Sequence, residues 1–349
     1  MKKTLLALAV LAAAGSVNAA EIVKNDSGSV NFYGQIREAM TYSHSNAESK
    51  TAADAGSSRA GINASWKLTD DLNLIGKAEF GIVSSMKGRQ NWIGISSDDY
   101  GSLYVGRTAL LADDVYGAEY SWYYGIADKA LYDTDLANDY YWQDNAINYD
   151  FIKDNYFVRA QYNLAEKDSA AKQASIFVGS SMGDLSFHSG IVYFEDNTAK
   201  TAEKVIAAGD TDASGTAYDS DDYGTVGTVK TGGNDVESLS SELTVEYKLD
   251  ALTVGATYAH IDRTVNNSHN DSNGYNLGVM YKLSDATTAY GGYQYVEMQD
   301  KSNADIQNSY VGVSYRPVTW ALTYVEYGYN DTESKDAVNA LAVGARVYW

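Results

Sequence analysis

Apolar and polar residues alternate along most of this chain with a period of two. In Val30-Asn31-Phe32-Tyr33-Gly34-Gln35-Ile36-Arg37, one parity reads Val, Phe, Gly, Ile and the other Asn, Tyr, Gln, Arg. Segment 58–68 sets Ala60, Ile62, Ala64, Trp66 and Leu68 against Arg59, Gly61, Asn63, Ser65 and Lys67. Segment 72–82 sets Leu72, Leu74, Gly76, Ala78, Phe80 and Ile82 against Asn73, Ile75, Lys77, Glu79 and Gly81. Successive side chains of a strand point to opposite faces, so each segment is a strand with one apolar face. The opposite face carries small polar and charged groups, which a dry sandwich core would not accept.

The same reading places strands near 29–43, 58–69, 72–84, 89–97, 101–108, 143–151, 155–164, 172–182, 184–195, 237–249, 251–262, 273–283, 286–297, 307–315, 318–329 and 337–349. That is sixteen, an even number. Connections alternate between short turns (Asp70-Asp71, Asp98-Asp99-Tyr100, Lys153-Asp154, Gly183, Asp250, Ser284-Asp285, Pro317) and longer polar stretches (44–57, 109–142, 165–171, 196–236, 263–272, 298–306, 330–336, with a shorter one near 85–88). Short turns on one rim and long loops on the other describe a transmembrane β-barrel, whose alternation hides from a hydropathy window. The fold class is therefore all-β: a 16-stranded antiparallel transmembrane barrel over 20–349.

The N-terminus reads as an address. Lys2 and Lys3 precede the apolar run Leu5 to Ala14, and Val17-Asn18-Ala19 matches a small-residue cleavage site. Residues 1–19 are thus expected to be a signal peptide, too short for a membrane span. Its removal takes two lysines and no acid from a chain already carrying 26 Lys+Arg against 46 Asp+Glu, a net charge of −20. This balance excludes nucleic acid as a partner, because phosphate binding needs clustered Lys and Arg. With no Cys, disulfides, Cys-ligated metals and thiol nucleophiles are excluded together. One Pro against 30 Tyr suits hydrogen-bonded strands. Tyr42, Trp66, Trp92, Tyr162, Tyr247, Tyr281, Trp320 and Tyr324 recur near strand ends, where amphipathic rings fit a membrane interface.

Two connections stand out. Residues 196–236 are rich in Asp, Thr, Gly and Ser and read as a solvated external loop. Residues 109–142 hold Trp122, Tyr123, Tyr124, Tyr132, Tyr140, Tyr141 and Trp142 among many Asp. So aromatic a loop is expected to pack, and the nearest surface is the inside of the barrel.

Ala20-Glu21 opens the expected mature chain, Phe32-Tyr33-Gly34 lies in the first strand, the run Gly94-Ile95-Ser96-Ser97-Asp98-Asp99-Tyr100-Gly101-Ser102-Leu103-Tyr104-Val105-Gly106-Arg107 precedes the aromatic loop, and Ala342 to Trp349 ends in an aromatic residue. On these stretches the chain resembles the general trimeric porins of Gram-negative outer membranes. The resemblance implies a homotrimer in contact with outer-membrane lipid and lipopolysaccharide. It also implies a third loop folded into the lumen, its acids facing a ladder of basic wall residues. Arg59 and Arg89 match two wall arginines of that ladder, Arg107 the arginine before the loop, and Glu79 a lumen glutamate on the third strand. The family's first-strand lysine is Gln35 here, with Arg37 two residues on and on the same face. The sixth-strand arginine is replaced near Trp142, and the family's Pro-Glu-Phe-Gly-Gly stretch is absent. Among loop acids the candidates are Glu119 and Asp113 or Asp114, with Asp128 behind them. Parity independently puts Arg59, Lys67, Lys77 and Glu79 on the polar face, and Arg159 joins the basic candidates.

Opposed rows of Arg and Asp/Glu across a lumen set a transverse field that filters ions and orients polar solutes. The function expected is therefore passive diffusion of ions and small hydrophilic solutes through an outer-membrane channel, preferring cations and needing no cofactor. An adhesin or receptor working through its external loops is the alternative. No enzyme is expected: His44, His188, His260 and His269 form no His-x-x-x-His pair, no Gly-x-Ser-x-Gly elbow occurs, and barrel hydrolases have fewer strands. Asp210-x-Asp212-x-Ser214-Gly215 with Asp221 twelfth resembles a calcium loop, but its last ligand is Asp rather than Glu and flanking helices are not expected. No metal is assigned to it.

Overall fold

The computed structural model describes residues 20–83, 86–115, 117–126, 141–164, 171–196, 199–211, 216–233, 236–266, 268–299 and 304–349. The expected signal peptide lies outside them.

Sixteen antiparallel strands close into one barrel. In chain order they are β1 (Gly28–His44), β2 (Arg59–Lys67), β3 (Asn73–Gly81), β4 (Gly88–Ser97), β5 (Gly101–Ala109), β6 (Trp142–Lys153), β7 (Tyr156–Asn163), β8 (Lys172–Met182), β9 (Leu185–Asp196), β10 (Val236–Leu249), β11 (Leu252–Val265), β12 (Ser268–Lys282), β13 (Thr287–Met298), β14 (Ile306–Val318), β15 (Ala321–Thr332) and β16 (Val338–Tyr348). Each pairs with the next, and β16 returns to β1 from Gln35↔Tyr348 to His44↔Asn339. Closure leaves no open edge, which satisfies every lipid-facing backbone group.

The two ends of the barrel chain meet along one edge of β1. β16 runs down that edge until Trp349 and Gly34 exchange backbone hydrogen bonds of 2.9 and 3.1 Å. A short strand, Ala20–Asn25, then continues the same edge, from Ala20↔Phe32 to Asn25↔Gly28.

Burial is inverted relative to a soluble sheet. Outward residues are apolar and exposed, among them Leu243 at 50% and Val343 at 51%. Inward residues are polar and buried: Gln161, Gln294, Thr244 and Glu326 are at most 3% exposed. That inversion suits a wall with lipid outside and a polar interior.

Turn chemistry explains the short rim. Asp154, Gly183 and Asp250 adopt φ of 50°, 65° and 49°, each opening a two-residue turn between paired strands. Hairpin turns of this length need positive φ, which Gly, Asp and Asn supply at least cost.

Three expectations are corrected. Pro317 was expected in a turn but lies inside β14, at a register shift between Tyr315 and Val318. The bulge removes the ladder donor that proline lacks. The expected loop 263–272 is mostly strand, because β11 and β12 stay paired out to Val265↔Ser268. The loops 44–57 and 196–236 contain strands of their own. Ser49–Asp54 pairs with the upper half of β1, and Ala199–Val205 pairs with Val226–Gly233 as a separate hairpin.

Candidate functional site

The described part of the third loop lies against the inner wall. It begins with a four-residue helix, α1 (Leu111–Asp114). Leu110, Leu111, Ala112 and Val115 pack with Phe157, Phe177, Val192 and Ala259, which point inward from β7, β8, β9 and β11. This small apolar core inside a polar lumen ties down the start of the loop. Gln161 secures the same place: it accepts from Leu111 N at 3.0 Å and donates to Ala109 O at 2.8 Å.

Beyond Val115 the attachments are polar. Ala118 N donates to Thr257 Oγ1 at 2.7 Å, Tyr120 N to the Tyr310 hydroxyl at 2.9 Å, and Ile126 N to Gln294 Oε1 at 2.9 Å. Asn308 Nδ2 donates to Tyr124 O at 2.8 Å. The strongest attachment is Glu326 on β15, wholly buried. One of its oxygens accepts from Ser121 Oγ at 2.7 Å, Tyr124 N at 2.6 Å and Tyr123 N at 3.2 Å; the other accepts from Trp122 N at 2.7 Å and Tyr290 Oη at 2.9 Å. A buried carboxylate needs such a set of donors to offset lost hydration.

Glycines let the loop approach the wall. A Cβ on Gly278 would stand 2.3 Å from the Ala118 carbonyl oxygen, and one on Gly255 would stand 2.7 Å from Ala118 Cβ and from the Tyr120 hydroxyl. Tyr120 donates to Glu246 at 2.5 Å and Tyr123 to Asp54 at 2.8 Å. Burial and these carboxylates push both loop phenols well above the ordinary tyrosine value, so both remain neutral donors at physiological pH.

The space left is a cavity of about 1900 Å³ that reaches the short-turn rim at Asp184, Ala251, Asp285 and Thr319. Arg37, Arg59, Lys77, Glu79 and Arg89 line one wall, and Asp113, Asp114 and Glu119 line it from the loop. Glu79 gathers its neighbours: Arg89 Nε lies 2.8 Å and Arg59 Nε 3.4 Å from its oxygens, and Tyr33 Oη donates to it at 2.9 Å. Lys77 sits 5.3 Å over the Tyr33 ring. Asp114 pairs with Arg159 at 3.3 Å, which also holds Asp150 at 2.8 Å. Asp113 accepts from the Tyr141 hydroxyl, and Glu119 from Gln294 Nε2 at 2.7 Å.

Two expected residues stand apart from this cavity. Arg107 pairs with Asp144 and bonds Gly88 O at 3.3 Å, and it lies over Trp142 at 5.6 Å. Lys67 is exposed at the end of β2. Asp128 lies outside the described residues. Trp142 also carries Arg89 on its face at 4.7 Å. Glu326, Glu246 and Arg346 were not singled out from sequence. Inward parity marks all three as polar-face residues, but their importance comes from a loop 126 to 224 residues away in sequence.

Metal-ligand types gather elsewhere. His269 stands between Asp271 at 3.0 Å and Asp262 at 3.4 Å, at the external tip of β11 and β12. Of the calcium-like run, residues 212–215 lie outside the described residues. Asp210 accepts from Lys204 Nζ at 2.8 Å and from Ala207 N at 2.7 Å, and these bonds hold its carboxyl below the usual range.

Comparison with known proteins agrees with this geometry. The porin-like protein H of Photobacterium profundum is 24% identical over 358 residues, covering 96% of this chain and 97% of that one. In-vitro folded OmpT, an outer membrane protein of Vibrio cholerae, superposes with a TM-score of 0.77 at 29% identity, covering 94% of this chain and 99% of that one. Its trimer form gives 0.73 at 28% identity, covering 93% and 100%. A Gram-negative porin family model matches residues 5–335, and a closed sixteen-stranded barrel with a polar interior is the architecture of such a channel, so the chain belongs to the Gram-negative porins of the outer membrane.

Proposed function

We propose that the porin is a passive channel for ions and small hydrophilic solutes, that it prefers cations, and that it works as a homotrimer after loss of residues 1–19. The observation that carries this reading is the third loop. It is fastened to the inner wall from Gln161 round to Glu326, and beside it lies a cavity lined by charged side chains of wall and loop and reaching the short-turn rim.

In this reading Arg59, Arg89, Glu79, Lys77 and Arg37 form the wall side of the narrowest region, and Asp113, Asp114 and Glu119 the loop side. Opposed charges at close quarters order water and sort solutes by charge and dipole without breaking a bond. Cation preference rests on the excess of acids over bases in the whole chain; on the wall, Glu79 is shared by Arg59 and Arg89 and cancels one of their two charges. The trimer form of the Vibrio cholerae relative supports the assembly. No step calls for a catalytic group or cofactor.

The test is the reversal potential in a KCl gradient across a planar bilayer. A potential with the sign of the potassium equilibrium supports the proposal; one with the sign of chloride overturns the cation preference.

A further inference from the structure

One feature of the lumen is electrostatically unfinished. Arg37 on β1 and Arg346 on β16 are direct cross-strand partners at the seam where the barrel closes. Like charges directly opposite on paired strands repel. Among the described residues the other arginines near the loop have carboxylates within 4 Å: Arg59 and Arg89 have Glu79, Arg107 has Asp144, and Arg159 has Asp114 and Asp150. No carboxylate of the described residues comes so close to Arg37 or Arg346. The Nε atoms of both are buried without an acceptor.

The surroundings hold the two guanidinium groups in place without neutralising them. Arg346 lies over Trp122 at 4.5 Å, donates to Trp122 O at 3.0 Å and lies 6.0 Å from the Tyr324 ring. The Arg37 side chain rests against Gly56, where a Cβ would stand 2.2 Å from Nε. Asp54, paired with Ala39 on the same edge of β1, already accepts from Gly56 N and from the Tyr123 hydroxyl, both at 2.8 Å. Both arginines line the cavity.

We propose that Arg37 and Arg346 form a binding station for a dianionic oxyanion, the phosphate monoester group of a small hydrophilic solute, inside the lumen. Two positive charges held side by side on the cavity wall, neither with a carboxylate partner among the described residues, match the two negative charges and several acceptor oxygens of the ligand. A monocarboxylate neutralises one guanidinium and leaves the other repelled. The station gives the porin a saturable site for sugar-phosphate-like solutes alongside its general preference for cations. That role rests on the channel reading above; binding itself does not.

The test is calorimetric titration of the folded, detergent-solubilised porin with glucose 6-phosphate at pH 8, where the phosphate is fully dianionic. Gluconate serves as the monoanion and glucose as the uncharged body. Saturable heat is expected with glucose 6-phosphate, weaker binding with gluconate and none with glucose. R37Q or R346Q alone should each lower affinity about tenfold, the effect of one charge-assisted bond. R37K and R346K should retain part of it. Heat-modifiable migration on gels confirms that each variant is folded.

Absence of heat with glucose 6-phosphate, or heat unchanged in R37Q/R346Q, overturns the station. The same ligand added to bilayer recordings separates the two readings. Binding in the calorimeter with a silent bilayer keeps the station and removes the channel. Open channels with no binding and no glucose 6-phosphate block remove the station and keep the channel.

Discussion

Glu326 is where one side chain controls the course of a whole loop, and E326Q is the sharpest perturbation of it. The substitution keeps shape and volume but removes the charge and turns one acceptor into a donor. In the better orientation the new amide nitrogen replaces the oxygen that accepts from Trp122 N and Tyr290 Oη. The tyrosine hydroxyl can rotate to accept; the Trp122 N–H cannot. One buried donor is left unmade, at about 1–3 kcal/mol, and the bonds from Tyr123 N and Tyr124 N each lose about 1 kcal/mol of charge assistance. The sum is roughly 3–5 kcal/mol against the docked loop, or about 10²–10⁴-fold more of the detached state. The barrel ladders are untouched, so heat-modifiable migration should not change. The assay is amide hydrogen exchange of the folded protein, read on a peptide covering Trp122 to Ile126. Protection there should fall by about two to four orders of magnitude while strand amides stay protected. Unchanged protection in E326Q would refute the claim that this carboxylate holds the loop.

Other outcomes follow from the same contacts. G278V places a branched side chain where a single Cβ already meets Ala118 O at 2.3 Å, and it should displace the loop and change single-channel conductance without unfolding the barrel. W349A removes the ring that packs 6.1 Å from Phe32, and it should lower the temperature at which the barrel unfolds on gels, since the closing seam loses buried apolar contact. E79Q strips the shared partner from Arg59 and Arg89, and the reversal potential in a KCl gradient should move toward chloride.

Much of this was legible in the sequence for a physical reason: period-two alternation, turn residues and inverted polarity are local properties. They placed nearly all the strand cores and told the two rims apart. The aromatic content of 109–142 also pointed to an inward loop, and Trp122, Tyr123 and Tyr124 do lie along the wall. What stayed hidden depends on register. Asp54 was a loop residue until Ser49–Asp54 paired with β1, and only then did it reach the Tyr123 hydroxyl. Glu326 and Glu246 look like any inward strand acid, because nothing nearby in sequence records the loop amides and phenol they receive. Gly255 and Gly278 carry no local signal, yet a Cβ at either would run into the loop at Ala118. The pairing of Arg37 with Arg346 joins the two ends of the chain, a separation no local pattern spans.

The measurement that tests the central claim most directly is single-channel conductance of the purified, unboiled porin, compared with the same protein lacking residues 115–135. Stepwise currents closing in threes, with larger steps after the deletion, are the expected result. A silent bilayer from folded protein, or steps of the same size after the deletion, would contradict a lumen that is open and narrowed by its third loop.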